Sequence, residues 1–257
     1  MWSGNSGDGA DLLAPIRENL DRALLGFDFD GTLGAIVARP EDARLEVGIA
    51  DALIRLAPRV AALAIITGRP ALTAVELGGF VDVPGVIVLG HYGLQRWVGG
   101  DLSSPEPDPG VSLVHRSLPP LPDGAMVEDK EHSIVVHTRG CADPDRALEQ
   151  LREPIAALAA ANGLEVVGGR YVWEIRPPGI DKGGALKALV AERDPAAVLV
   201  AGDDLGDLPL FAAARELPIP SVCLAVVSPG APPEVATAAD AAVNGPGALP
   251  ELLQSLL

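Results

Sequence analysis

Apolar runs of strand length alternate with helical stretches, polar residues capable of chemistry stand at the ends of those runs, and a proline-rich break interrupts the middle of the chain. Together these predict an α/β fold: a Rossmann-like parallel-sheet core with an inserted α+β module. Strands separated by helices pair in parallel because a crossover helix brings the chain back to the same edge, and such sheets bind ligands at the carboxyl ends of their strands. With 257 residues, 48% of them hydrophobic and 21% charged, the chain can bury a full core.

The elements follow in order. Residues 1 to 10 are rich in Gly and Ser and read as loose, and Asp11 to Ala23 reads as a short helix leading into the first strand. That strand, Leu24-Leu25-Gly26-Phe27, runs into Asp28-Phe29-Asp30-Gly31. Leu45, Ile49, Leu53 and Leu56 recur at spacings of three and four, which predicts a helix over 43–57 ended by Pro58. A buried strand, Val60 to Ile66, closes on Thr67-Gly68-Arg69-Pro70, with proline suited to the first turn of a following helix. Another strand is Val86 to Leu89. From Gly99, six prolines between Pro105 and Pro122 predict a long irregular connection at a module boundary. Strands at 125–127 and 134–138, a helix at 144–161 and strands at 164–167 and 171–175 make a β-β-α-β-β module, closed by Pro177-Pro178-Gly179. The first pattern then resumes with a helix from Lys182, a strand at 197–201, a helix near Leu208, a strand at 222–226 and a terminal helix at 249–256. The expected division is 1–98 with 178–257 as the core, and 99–177 as the inserted module.

A formal net charge of −16 argues against nucleic acid or an anionic membrane surface as partner, so any anionic substrate needs local basic groups. Lysine is scarce, only Lys130, Lys182 and Lys187, which draws attention to their placement. Two cysteines, Cys141 and Cys223, offer neither metal spacing nor a disulfide framework. With no signal-like N-terminus and no apolar run near 18 residues, the expectation is a cytoplasmic protein that does not span a membrane.

Asp28 and Asp30 stand two apart on a strand and therefore share a face. Adjacent carboxylates repel, and a Mg²⁺ ion, with oxygen ligands and open positions, would relieve the repulsion. A surface Asp-rich turn is the alternative. The string Asp28-Phe29-Asp30-Gly31-Thr32-Leu33 resembles the first motif of the haloacid dehalogenase superfamily, in which the first aspartate attacks phosphorus and the second handles protons. The resemblance implies three further stations. Thr67, at a strand end, matches the second, where hydroxyl and backbone N–H groups hold a phosphoryl oxygen; capping the next helix is its other reading. Lys182 matches the third, and a lysine at a helix start is disfavoured by the macrodipole unless it is employed. Ala201-Gly202-Asp203-Asp204-Leu205-Gly206-Asp207 matches the fourth. Asp203 is expected to complete the metal shell with Asp28 and Asp30, while Asp204 or Asp207 orients a ligand or water; Asp204 as a helix cap is nearly equivalent.

The interval between Asp28 and Thr67 holds no more than one helix, whereas that between Thr67 and Lys182 holds the whole module. In the superfamily this layout belongs mostly to sugar-phosphate phosphatases, and the module is then a cap. The cap segments Val127-Glu128-Asp129-Lys130, His137-Thr138-Arg139 and Trp173-Glu174-Ile175-Arg176-Pro177 are similar to those of trehalose-6-phosphate phosphatases. The resemblance implies sugar contacts from Glu128, Lys130, Arg139 and Glu174 and a small-molecule sugar phosphate as partner; Gly68 and Arg69 are expected to bind substrate with them, and a monomer is expected over an oligomer. A solvated strand face is the other reading of the cap residues. The family pattern is departed from at His91-Tyr92-Gly93, where Asn-His-Gly is usual, and at Gly206-Asp207-Leu208, where Thr-Asp-Glu is usual. The alternatives are hydrolysis of another sugar phosphate, of the sucrose or mannosylglycerate phosphate type, phosphosugar binding without turnover, and a phosphomutase, against which the placement of the cap argues.

Overall fold

The computed structural model describes residues 11–257, so the loose segment expected at 1–10 lies outside the described residues. These divide into two compact units, one running up to Ser104 and resuming at Asp181, the other Pro105–Ile180.

In the first unit, α1 (Ala14–Glu18) precedes β1 (Ala23–Phe27), followed by α2 (Ile49–Leu56), β2 (Ala62–Ile66), α3 (Ala71–Gly78), β3 (Ile87–Gly90), β4 (Gln95–Val98) and β5 (Asp101–Ser103). In the second unit come α4 (Pro109–Arg116), β6 (Met126–Asp129), β7 (Ile134–His137), α5 (Pro144–Ala161), β8 (Glu165–Gly169) and β9 (Val172–Arg176). The first unit resumes with α6 (Lys182–Arg193), β10 (Ala197–Gly202), α7 (Leu208–Arg215), β11 (Ser221–Val227), α8 (Pro233–Ala238), β12 (Ala241–Asn244) and α9 (Leu249–Gln254).

The first unit holds an eight-stranded sheet in the order β12-β11-β10-β1-β2-β3-β4-β5, parallel except for β4 and β5. Every residue of β1 is buried, as a central parallel strand requires. Its side chains alternate between two cores: Ala23, Leu25 and Phe27 join Leu53, Leu199 and Leu253 on one face, while Leu24 joins Leu186, Val200 and Phe211 on the other. The register sets Phe27 opposite both Ala201 of β10 and Ile65 of β2, so three strands end side by side.

Several expected elements shift. The helix expected over 43–57 begins only at Ile49, after Gly48 with φ +88°, a left-handed geometry that admits glycine without strain. The stretch from Gly99 is not wholly irregular: the β4–β5 hairpin carries the core sheet through Ser103, and α4 starts at Pro109 with Asp108 capping it by accepting from Gly110 N at 2.8 Å. The alanine-rich β12 and the short α8 are additional.

The second unit is an antiparallel sheet, β6-β7-β9-β8, with α4 and α5 packed on one face. Ile134, Val136 and Ile175 point into that core with Val111, Leu151 and Ile155. The opposite face carries Glu128, Val135 and Glu174 in one cross-strand row.

Candidate active site

The geometry of the first unit follows from its register. Asp28 directly follows β1, Thr67 follows β2, and Asp203 follows β10; since β10, β1 and β2 are neighbours, the three polar residues emerge from adjacent strand ends. The Asp28 N–H still donates to Ala201 O at 3.0 Å, which continues the ladder and fixes where its side chain leaves the sheet. Lys182 is the first residue of α6, capped by Asp181, which accepts from Gly184 N at 2.7 Å.

Lys182 Nζ donates to Asp28 Oδ1 at 2.6 Å and to Asp207 Oδ1 at 2.7 Å, with all three residues buried. Asp207 Oδ2 in turn accepts from the backbone N–H groups of Asp203 at 2.9 Å and Asp204 at 3.1 Å. Thr32 Oγ1 donates to Asp203 Oδ1 at 3.2 Å. Gly31, with φ +82°, turns the chain where a Cβ would overlap the Asp203 carboxylate. The sequence reading of Asp28-x-Asp30-Gly31 as a strand-end turn thus acquires a steric reason for its glycine.

Charge in this cluster is unbalanced. Burial would push the Lys182 ammonium down, but the carboxylates of Asp207 and Asp28 hold it well above its ordinary value, so it stays charged. Burial drives the Asp28 carboxyl well above the usual carboxylate range, with Lys182 opposing and Asp207 and Asp203 reinforcing the rise. Burial, then the charges of Asp207 and Asp204, push Asp203 up to about 7. Asp204 is raised by burial and then by the charge of Asp207, with Lys182 opposing. One lysine among four carboxylates leaves room for a cation, and Asp28, Asp203 and Asp207 each offer one oxygen within 4.8 Å of the others. Asp207 has both oxygens engaged by Lys182 and the backbone, so Asp28 and Asp203 are the better donors. Asp204 caps the short turn at Leu205–Asp207, accepting from Gly206 N at 2.8 Å.

The Asp30 carboxylate is not in that cluster. It makes a two-pronged ion pair with Arg69, Nε to Oδ2 at 2.6 Å and Nη2 to Oδ1 at 2.7 Å. The Arg69 N–H donates to Thr67 Oγ1 at 3.2 Å, and the Arg69 guanidinium lies 5.6 Å from the Phe29 ring centroid. Thr67 is buried at the strand end, and its one cap-like bond goes to the Arg69 N–H; it does not cap α3, which starts after Pro70 with no side-chain cap, so the helix-cap reading is corrected. Gly68 lies against the Tyr92 ring.

In the second unit, Glu128 on β6 and Glu174 on β9 flank Val135 on one face of the sheet. Glu128 Oε2 lies 3.0 Å from His137 Nε2, and Ser133 Oγ donates to Glu174 Oε1 at 2.7 Å. Lys130 sits in the β6–β7 turn, its N–H donating to Ser133 O at 2.9 Å, while the exposed Arg139 lies beyond the other end of β7. The sheet thus joins Glu128 with Glu174 and sets Lys130 and Arg139 at opposite ends of the hairpin. Thr32, His137 and Tyr92 stand inside the motifs read from the sequence, but pattern gave them no contacts; the structure sets Thr32 on Asp203, His137 beside Glu128 and Tyr92 against Gly68.

Strand-end carboxylates and a helix-start lysine on a parallel core define a haloacid-dehalogenase-like α/β fold. Residues 26–246 match the family model described as trehalose-phosphatase, and the chain belongs to that family. A trehalose-phosphate phosphatase of Mycobacterium avium is 31% identical over 247 residues, covering 90% of this chain and 61% of that protein. A protein of Mycobacterium tuberculosis described as an uncharacterised glycosyl hydrolase is 33% identical over 236 residues, 82% of this chain but 17% of its own length. The chain therefore spans less than two thirds of the curated relatives it matches. Among solved structures, Aspergillus fumigatus trehalose-6-phosphate phosphatase superposes with a TM-score of 0.70 at 25% identity, covering 96% of this chain and 97% of that one. Among the described residues no helix is long and apolar enough to cross a membrane.

Proposed function

We propose that the chain is a Mg²⁺-dependent phosphatase that hydrolyses trehalose 6-phosphate to trehalose and phosphate through an aspartyl-phosphate on Asp28. The observation that carries this reading is the Lys182–Asp28 contact at 2.6 Å, at strand ends shared with Thr67 and Asp203 in a chain of the trehalose-phosphatase family.

Among the described residues, Asp28 accepts a hydrogen bond only at Oδ1, which leaves Oδ2 for in-line attack on phosphorus. The bond from phosphorus to the sugar oxygen breaks as the bond to Oδ2 forms. Asp30 gives a proton to the departing sugar oxygen, then takes one from the water that attacks the aspartyl-phosphate, which returns Asp28 and releases phosphate. Both Asp30 oxygens lie on Arg69, so this role requires the ion pair to open, and an arriving phosphate is a suitable competitor for the Arg69 fork. Thr67, Gly68 and Lys182 steady the phosphoryl oxygens. Bound between Asp28, Asp203 and the Asp30 backbone carbonyl, Mg²⁺ would offset phosphate charge. Asp207 anchors Lys182, and Asp204 shapes the turn that presents Asp203. The unit containing Glu128, Lys130, Arg139 and Glu174 acts as the sugar-recognising cap, since carboxylates accept from several hydroxyls and Lys or Arg donate back.

Phosphate release over a panel of sugar phosphates, with and without EDTA, tests the proposal. Metal-dependent release with preference for trehalose 6-phosphate is expected, and Asp28→Asn should lower kcat by more than about a hundredfold. Near wild-type turnover by Asp28→Asn would refute the nucleophile, and preference for a monosaccharide phosphate would refute the substrate.

A further inference from the structure

The loop after β3 carries an unusual backbone. His91 has φ +47°, Tyr92 +58° and Gly93 +104°, three successive residues in the left-handed region, two of them with side chains that resist it. Such geometry persists only where surrounding contacts enforce it, and two of the backbone bonds that do so here reach the segment after β2. The Tyr92 N–H donates to Thr67 O at 2.9 Å and the His91 N–H donates to Arg69 O at 2.9 Å, so the two bonds bracket Gly68. The Tyr92 ring lies against the same residue: a Cβ added to Gly68 would stand 2.6 Å from Tyr92 Oη, 2.8 Å from Cζ and 3.0 Å from Cε1. Gly93 closes on α6, where an added Cβ would come within 2.8 Å of the Ala185 Cβ, one turn after Lys182.

We infer that Tyr92 is a positioning residue for the phosphate-binding loop, holding Thr67-Gly68-Arg69 by its ring and backbone. This rests on the phosphatase reading and adds to it a residue that acts through Thr67 and the Gly68 backbone. The strain identifies the placement of the ring as the outcome that the local fold enforces. A ring pressed on the one residue without a side chain between Thr67 and Arg69 fixes the loop where a bulkier neighbour would displace it.

The test is a double-variant cycle with phosphate affinity and turnover as readouts. Inorganic phosphate binding in the presence of Mg²⁺ is measured by calorimetry, and kcat and KM are measured for trehalose 6-phosphate and for p-nitrophenyl phosphate. Tyr92→Ala should weaken phosphate binding and lower kcat/KM for both esters alike, by about tenfold, as expected when a supporting group is lost. Tyr92→Phe, which keeps the ring, should recover most of that loss. Gly68→Ala alone should be impaired because its methyl displaces the ring. In a Tyr92→Ala background the methyl finds space, so the double variant should be no worse than Tyr92→Ala. Tyr92→Gly, which removes the left-handed strain, should show the same functional loss with a melting temperature no lower than wild type, which separates positioning from folding. Loss confined to trehalose 6-phosphate would overturn the inference in favour of a sugar contact, and independent, multiplicative effects in the double variant would also overturn it. If the wild type hydrolysed neither ester, the phosphatase reading would fall, while phosphate binding across the same five variants would still decide the role of Tyr92.

Discussion

Asp203 couples the site to solution pH. Its carboxyl is pushed from 3.8 up to about 7 by burial and by Asp207 and Asp204, so the folded protein without metal retains a proton there that the unfolded chain has already lost. A group with a raised folded value stabilises fully below the unfolded value, and that contribution is lost as pH rises through the folded value. Without Mg²⁺, stability from this group should therefore fall as pH rises from 3.8 to about 7, and level off above that. A cation favours the ionised form and reverses the trend, so the rise in melting temperature on adding Mg²⁺ should be larger at pH 8 than at pH 6. A pH-independent Mg²⁺ effect in scanning calorimetry would remove Asp203 from the metal site. At this scale the sequence disclosed the placement of Asp28, Thr67, Lys182 and Asp203, because strand ends and helix starts are written in local pattern. It did not disclose that Asp207 shares Lys182 with Asp28 or that Arg69 grips Asp30. Those choices depend on turn geometry and on residues far apart in the chain.

The second-unit sheet makes a separable claim about specificity. Glu128 and Glu174 share a face on either side of Val135, roughly two strand spacings apart, a span of about 10 Å that suits several hydroxyls of one disaccharide. Glu128→Ala or Glu174→Ala should lower kcat/KM for trehalose 6-phosphate at least about tenfold, from 1 to 3 kcal/mol of lost transition-state binding, with little change for p-nitrophenyl phosphate. Equal loss on both esters would place these residues in folding instead. Glu174 also accepts from Ser133, so Ser133→Ala should reproduce part of its loss. The module's strand and helix order could be read from alternation and from the long amphipathic run at Pro144–Ala161. What could not be read were elements without pattern: β5 is three exposed residues, β12 is held by pairing with β11, and α4 hides behind prolines that serve as its start.

For the molecule as a whole, a charge of −16 opposes an anionic substrate at long range. Salt screens that repulsion, with a Debye length of about 10 Å at 0.1 M, so kcat/KM for trehalose 6-phosphate should rise modestly with added monovalent salt. A steep fall instead would mean that Arg69 and Lys182 steer the ester from a distance. The parallel core was legible because buried strands and covering helices alternate in sequence, while the antiparallel β4–β5 edge was obscured by the glycine and proline content around it. The strand order has one more consequence, which concerns synthesis. β1 lies between β2 and β10, and Phe27 finds its partner Ala201 only after the entire Pro105–Ile180 unit has been made. At about 5–20 residues per second, the strand that carries Asp28 waits on the order of 10 to 30 seconds for its second neighbour. During that interval one edge of β1 lacks its native partner, whereas the Pro105–Ile180 unit, continuous in the chain, has all its strands in hand as soon as it emerges. The order of assembly is thus set by where the chain was interrupted: the inserted unit can fold first, and the strand that carries Asp28 gains its second neighbour only afterwards, with β11 and β12 still to be added.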